Sequence, residues 1–102
     1  MEHLNKVELK GFVGRVDTKP IGDSNITRFV VATEYNYTAK DGTPIVETTW
    51  HSCVSFDKKA AELKMNDKVH LLGRIRYQRY TDSNGEEKRM TDILVNKLEI
   101  LN

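Results

Sequence analysis

Phe56-Asp57-Lys58-Lys59-Ala60-Ala61-Glu62-Leu63-Lys64-Met65 is the one stretch of the chain that reads convincingly as helix. Asp57 supplies an N-cap oxygen, and Lys58 to Met65 holds Ala60, Ala61 and Leu63, good helix formers with no β-branched residue among them. Its apolar face is narrow, so the spacing predicts a short helix. Its position decides the fold, because the sequence on both sides reads as strand.

Three extended segments precede it. The first runs from Leu4 to Asp17, with Gly11 and Gly14 inside it as signals of a bulge or sharp bend. After a loop with Pro20, Gly22, Asp23 and Asn25, the second runs from Ile26 to Tyr37. The third, Ile45 to Phe56, follows the turn Lys40-Asp41-Gly42-Thr43-Pro44, in which Asp-Gly is a hairpin signal. Downstream, Lys68 to Thr81 (KVHLLGRIRYQRYT) forms a long fourth strand. The turn Asp82-Ser83-Asn84-Gly85 joins it to a fifth that ends near Leu101. Three strands, one short helix, then two strands joined by a protruding hairpin is the order of an OB fold, an all-β, five-stranded Greek-key barrel. An SH3-like barrel also has five strands, but a helix between the third and fourth favours OB. With no repeat, linker or low-complexity tract, residues 1–102 read as one domain.

Bulk composition narrows the function classes. The net charge of the 102 residues is +1, with 38% hydrophobic and 30% charged residues. Only a local concentration of cations would therefore support nucleic-acid binding. One cysteine excludes an internal disulfide and fits a reducing compartment. MEHLNKVELK lacks the apolar segment of a signal peptide, and no apolar run is long enough to span a bilayer. No membrane partner is expected, and the default location is the cytoplasm, near the nucleoid for a DNA binder.

Catalytic signatures are missing. GxxxxGK[ST], HExxH, GxSxG and GxGxxG do not occur, and the carboxylates are scattered. Gly11-Phe12-Val13-Gly14 formally matches a KH loop, but that loop joins helices and this one sits in an apolar strand. His51 and Cys53, two apart, share a face of a strand. A zinc site would need two more ligands, for which only His3 and His70 are good candidates. Cys53 fits better as a wall residue. The expectation is no enzyme, no metal and no cofactor.

Binding chemistry is better represented. Arg74, Arg76 and Arg79 lie along the fourth strand with Tyr77 and Tyr80 interleaved, and Lys88 and Arg89 return across the hairpin. Cations track phosphates while aromatic faces stack on any base. Lys6, Lys10, Arg15 and Arg28 are weaker candidates. In Thr48-Thr49-Trp50-His51-Ser52-Cys53-Val54-Ser55-Phe56, alternation puts Trp50 and Phe56 on one face, and His51 and Cys53 on the other. Tyr35 and Tyr37 share a face at the tip of the second strand. Each of these rings also has a plain core-packing reading.

Taken together, NKVELKGFVGRV, RFVVATEYNY, TTWHSCVSFDKKAAE and RYQRYTDSNGEEK resemble the bacterial single-stranded DNA-binding (SSB) family, from Asn5 to about Val95. The resemblance implies base stacking by Trp50, Phe56, Tyr37 and Tyr80, and a subunit-interface role for His51. It also implies a homotetramer around which single-stranded DNA wraps. Family members usually continue into an acidic-tipped tail that recruits other proteins; a chain ending at Asn102 is not expected to recruit through one. Two further readings stay open. One is a dimeric primosomal PriB-like protein of replication restart; the other is an OB module for protein or oligosaccharide.

Overall fold

Val7–Ile21 forms the first strand, β1, and its alternation sets the sidedness of the whole sheet. Val13 is buried and Val7 and Leu9 are half-buried, whereas Glu8 and Lys10 are exposed. The strand thus has an inner and an outer row. In a computed structural model that describes residues 1–102, β2 follows as Ser24–Thr38 and β3 as Pro44–Ser55. A 3-10 turn, Lys58–Glu62, comes next, then β4 (Lys68–Thr81) and β5 (Glu87–Ile100). The strands close in the order β1-β2-β3-β5-β4, with β1 bonded to β4 and the single parallel contact between β3 and β5. That connectivity is the OB fold.

Closure depends on β1 serving two partners. Its first half pairs with β4, from Val7 opposite Gly73 to Phe12 opposite Lys68. Its second half pairs with β2 across a bulge between Val13 and Val16. A side chain at Gly11 would collide with the Ala32 carbonyl oxygen, so backbone approach at this crossing requires glycine. Inside, Val13, Phe29, Val31, Cys53, Val69 and Leu71 meet, and Ala60 and Leu63 from the 3-10 turn join the same cluster. The turn therefore works as a plug, and burying Leu63 stabilises by about 1.5–3 kcal/mol.

Several boundaries differ from the sequence reading. Leu4 is exposed and β1 begins at Val7. Asn5 takes over the edge pairing, its amide donating to the Ile75 carbonyl at 2.7 Å and accepting from Ile75 N–H at 3.0 Å. The loop expected at residues 20–25 shrinks to Gly22–Asp23, because Pro20 and Asn25 stay paired in the ladder. The helix expected to reach Met65 is one 3-10 turn. Asp57 caps it by accepting from Lys59 N–H at 3.0 Å, and Leu63 is already extended, with φ −63° and ψ 143°. Phe56 lies just beyond β3 rather than in it.

The β2–β3 and β4–β5 arms end in five-residue connections of one design, closed by Ala39 N–H donating to Thr43 O and Asp82 N–H to Glu86 O. Gly42 N–H donates to Ala39 O at 2.9 Å and Gly85 N–H to Asp82 O at 3.1 Å. Both glycines take a left-handed φ, 89° and 80°, as the bulge after a type I turn requires. No helix is long and apolar enough to cross a membrane.

Candidate nucleic-acid interface

Residues paired across strands share a face, so register defines the outer surface row by row. Lys68 pairs with Phe12, Phe12 with Ala32, and Ala32 with Trp50. This row crosses four strands on the outside of the barrel. Trp50 is 62% exposed and Phe12 48%, a large apolar display for a sheet exterior. The indole leans across β2 onto β1. A Cβ on Gly14 would stand 2.8 Å from Trp50 Cζ3, so glycine leaves the recess in which the ring lies. A groove of about 590 Å³ opens here, bordered by Phe12, Trp50, Met65, Ala32 and Arg15. Arg15 and Val30 carry it into a second hollow of about 260 Å³ beside Arg28 and Met90. A recess of about 420 Å³ elsewhere, lined by Asp57, Lys59, His70, Lys97 and Glu99, has mixed charge and no Phe, Tyr or Trp.

The four aromatics expected to stack do not lie on one continuous face. Phe56, 52% exposed, follows the end of β3, where Val54 and Ser55 are both buried. Alternation therefore no longer decides exposure there. Tyr37 is opposite Ile45, in the same row set as Val31 and Cys53, so it continues the inward register into the open β2–β3 arm. It stands beside Tyr35, with ring centroids 6.0 Å apart. Tyr80 is opposite Lys88 near the tip of the β4–β5 arm, 50% exposed.

The expected cations divide in two ways. Arg74, Arg76 and Lys88 share Tyr80's face of the arm, while Arg79 lies opposite Arg89 on the other face with Tyr77. Pairing with acids divides them again. Arg79 meets Glu87 at 3.4 Å, and Lys88 lies 3.5 Å from Glu86. Arg76 is the least free. Its Nε and Nη2 donate to the two oxygens of Asp92 at 3.0 and 3.1 Å, and Asp92 is buried. That fork holds the Arg76 guanidinium above its usual range through the bond to Asp92. Lys6, Lys10, Arg15, Arg28, Arg74 and Arg89 have no carboxylate partner. Of these, Arg15 and Arg28 border the Trp50 groove and its extension. The cations that rank lowest by sequence are thus the ones nearest the exposed tryptophan.

His51 pairs with Val31 on the inward register, and its Nε2 lies 2.8 Å from Thr33 Oγ1 in a hydrogen bond. Burial pushes its pKa down, which favours the neutral ring. Cys53 is buried, and its thiol is pushed up to about 12, first by burial and then by the Asp92 charge. It is no nucleophile at neutral pH. No three His, Cys, Asp or Glu side chains converge as a metal site.

Sequence reasoning passed over Phe12, Met65 and Lys68. The signal was present for Phe12. Val7, Leu9 and Val13 alternate inward, which obliges residue 12 to point outward.

The model of the single-strand binding protein family matches residues 4–101. The chain belongs to that family. It is 38% identical over 104 residues to a single-stranded DNA-binding protein of Xanthomonas axonopodis pv. citri, covering 96% of this chain and 58% of the relative. A relative of the same description in Bacteroides thetaiotaomicron is 35% identical, with 96% and 66% covered. The chain thus spans about three fifths of the length of these family relatives. In fold it is similar to the Plasmodium falciparum SSB solved in complex with ssDNA. The TM-score is 0.85 at 24% identity, over 100% of this chain and 98% of that one.

Proposed function

We propose that this family member binds single-stranded DNA without catalysis and without sequence preference, as a protective or organising protein in replication, recombination or repair. The observation that carries the reading is Trp50, lying exposed over Gly14 in an outer groove bordered by the unpaired Arg15. An aromatic face beside uncompensated positive charge suits a polyanion whose bases are unstacked, and it reads no base edges. Trp50 supplies the central stacking face, with Phe56, Tyr37 and Tyr80 engaging other bases along the strand. Arg15, Arg28, Lys10, Lys6, Arg74 and Arg89 supply the phosphate field. Arg79 and Lys88 join it when DNA displaces their exposed acids, while Arg76 stays with Asp92.

Self-association as a homotetramer belongs to the same proposal, with His51 near a neighbouring subunit, in a cytoplasmic, nucleoid-associated setting. Anisotropy of a labelled thirty-nucleotide oligo-dT, with the matching duplex as comparator, tests the reading. The expected result is tight binding to the single strand, weakening steeply with salt through counterion release, and little binding to duplex. Equal affinity for both, or none for the single strand in a folded sample, would overturn it. Mass by light scattering distinguishes a tetramer from a dimer.

A further inference from the structure

Phe12 has no role in the stacking set described so far, yet its placement is unusual. It projects from the outer row of β1 and is 48% exposed, although every other apolar residue from Val7 to Val13 points inward. It forms a ridge between two hollows. The Trp50 groove lies on one side, and on the other is a recess of about 350 Å³ bordered by Lys10, Lys68 and Leu101. Lys68 Nζ sits 5.8 Å from the ring centroid. Neither Lys10 nor Lys68 has a carboxylate partner.

Register separates Phe12 from Trp50 by the small Ala32 alone. With cross-strand neighbours 4.5–5.5 Å apart, the two aromatic positions stand roughly 10 Å from each other. A planar ring in contact with two others needs about 7–8 Å between them. The backbone spacing leaves room for one base, and Phe12 and the indole, which leans over Gly14, border the same groove beside Ala32 and Met65.

We infer that Phe12 is a further base-stacking residue, adjacent to Trp50, and that the phosphates flanking its base run over Lys10 and Lys68. The inference rests on the single-stranded DNA reading above and extends the DNA track across β1 onto the β4 edge. A second copy of the chain is a poorer occupant. A symmetric contact here would bring Lys10, Arg15 and Lys68 against their own equivalents, whereas a polyanion neutralises them.

The test measures oligo-dT affinity of Phe12→Ala, Phe12→Leu and Phe12→Trp by anisotropy, with circular dichroism for folding and light scattering for mass. Loss of one stacking face is expected to weaken binding by roughly 5- to 150-fold in the alanine and leucine variants. The salt slope should be unchanged, because no phosphate contact is lost, and Phe12→Trp should restore affinity. A direct readout without mutation is photocrosslinking of oligo-dT carrying 5-iododeoxyuridine, which should label the peptide containing Phe12. Wild-type affinity in folded Phe12→Ala and Phe12→Leu overturns the inference, as does a crosslink map lacking that peptide. So does a fall in mass that accounts for the lost affinity, since Phe12 would then be a subunit contact. Failure of the unmodified protein to bind oligo-dT would instead refute the underlying reading, and the inference with it.

Discussion

Gly14 and Trp50 are matched as recess and ring: a methyl group on Gly14 would stand 2.8 Å from Trp50 Cζ3 and equally close to Val30 Cγ2. Both obstacles are side-chain atoms, so the indole must tilt while the backbone stays. Gly14→Ala should therefore fold at a cost of about 1–3 kcal/mol and still lose oligo-dT affinity, on the order of tenfold, with altered tryptophan emission. Gly11→Ala meets the fixed Ala32 carbonyl instead and should cost about 3 kcal/mol or more. Urea denaturation followed by oligo-dT titration checks both. Wild-type emission and affinity in Gly14→Ala would mean that the recess has no bearing on binding.

Arg74 and Arg76 are two residues apart on the same face, yet they should behave in opposite ways. Arg76→Ala leaves the Asp92 carboxylate buried without its fork and should cost about 3–5 kcal/mol in denaturation. Arg74→Ala removes an exposed, unpaired cation and should change stability by less than about 0.5 kcal/mol. Its signature is in binding, where the slope of log affinity against log salt should fall by about 0.7 for one lost single-strand phosphate contact.

Cys53 provides a probe of barrel integrity. Its burial, and a thiol pushed up to about 12, predict no reaction with a disulfide reagent at pH 8 in the native protein. One equivalent should react in denaturant. Fast native labelling would mean that β3 opens readily from the barrel wall.

His51 predicts a stability change on mild acidification. Its folded pKa lies below the ordinary 6.5 because of burial, so the unfolded chain binds more protons between the two values. The contribution is complete above pH 6.5 and declines as pH falls toward the folded value. Glu8, held low mainly by its hydrogen bond to His70, has its own titration below the ordinary 4.5, outside this window. Tm should drop between pH 7.5 and 5.5 in the wild type, and His51→Gln should flatten that drop.

The architecture was legible because local signals agreed with one another. The strand assigned to KVHLLGRIRYQRYT matched β4 from Lys68 to Thr81, and the cap at Asp57 marked the plug even though its length was overestimated. Boundaries failed where side chains stand in for backbone, as Asn5 does at the β4 edge, and where Pro20 stays within a ladder. The site was less legible because charge compensation depends on register. Nothing in RIRYQRYT reveals that Arg76 faces Asp92 sixteen residues away, or that Arg79 meets Glu87 across the arm while Arg74 has no acid. Phe12 was hidden for another reason. A bulky apolar residue between glycines reads as core until the alternation of Val7, Leu9 and Val13 is given more weight than its size.

Trp50 is the only tryptophan, so emission excited at the red edge, beyond tyrosine absorption, reports on the central groove alone. Titrating the folded protein with poly(dT) at low salt, and then raising the salt, measures contact between bases and that ring directly. The account predicts saturable quenching that added salt reverses. Unchanged Trp50 emission, under conditions where anisotropy shows the DNA bound, would contradict it.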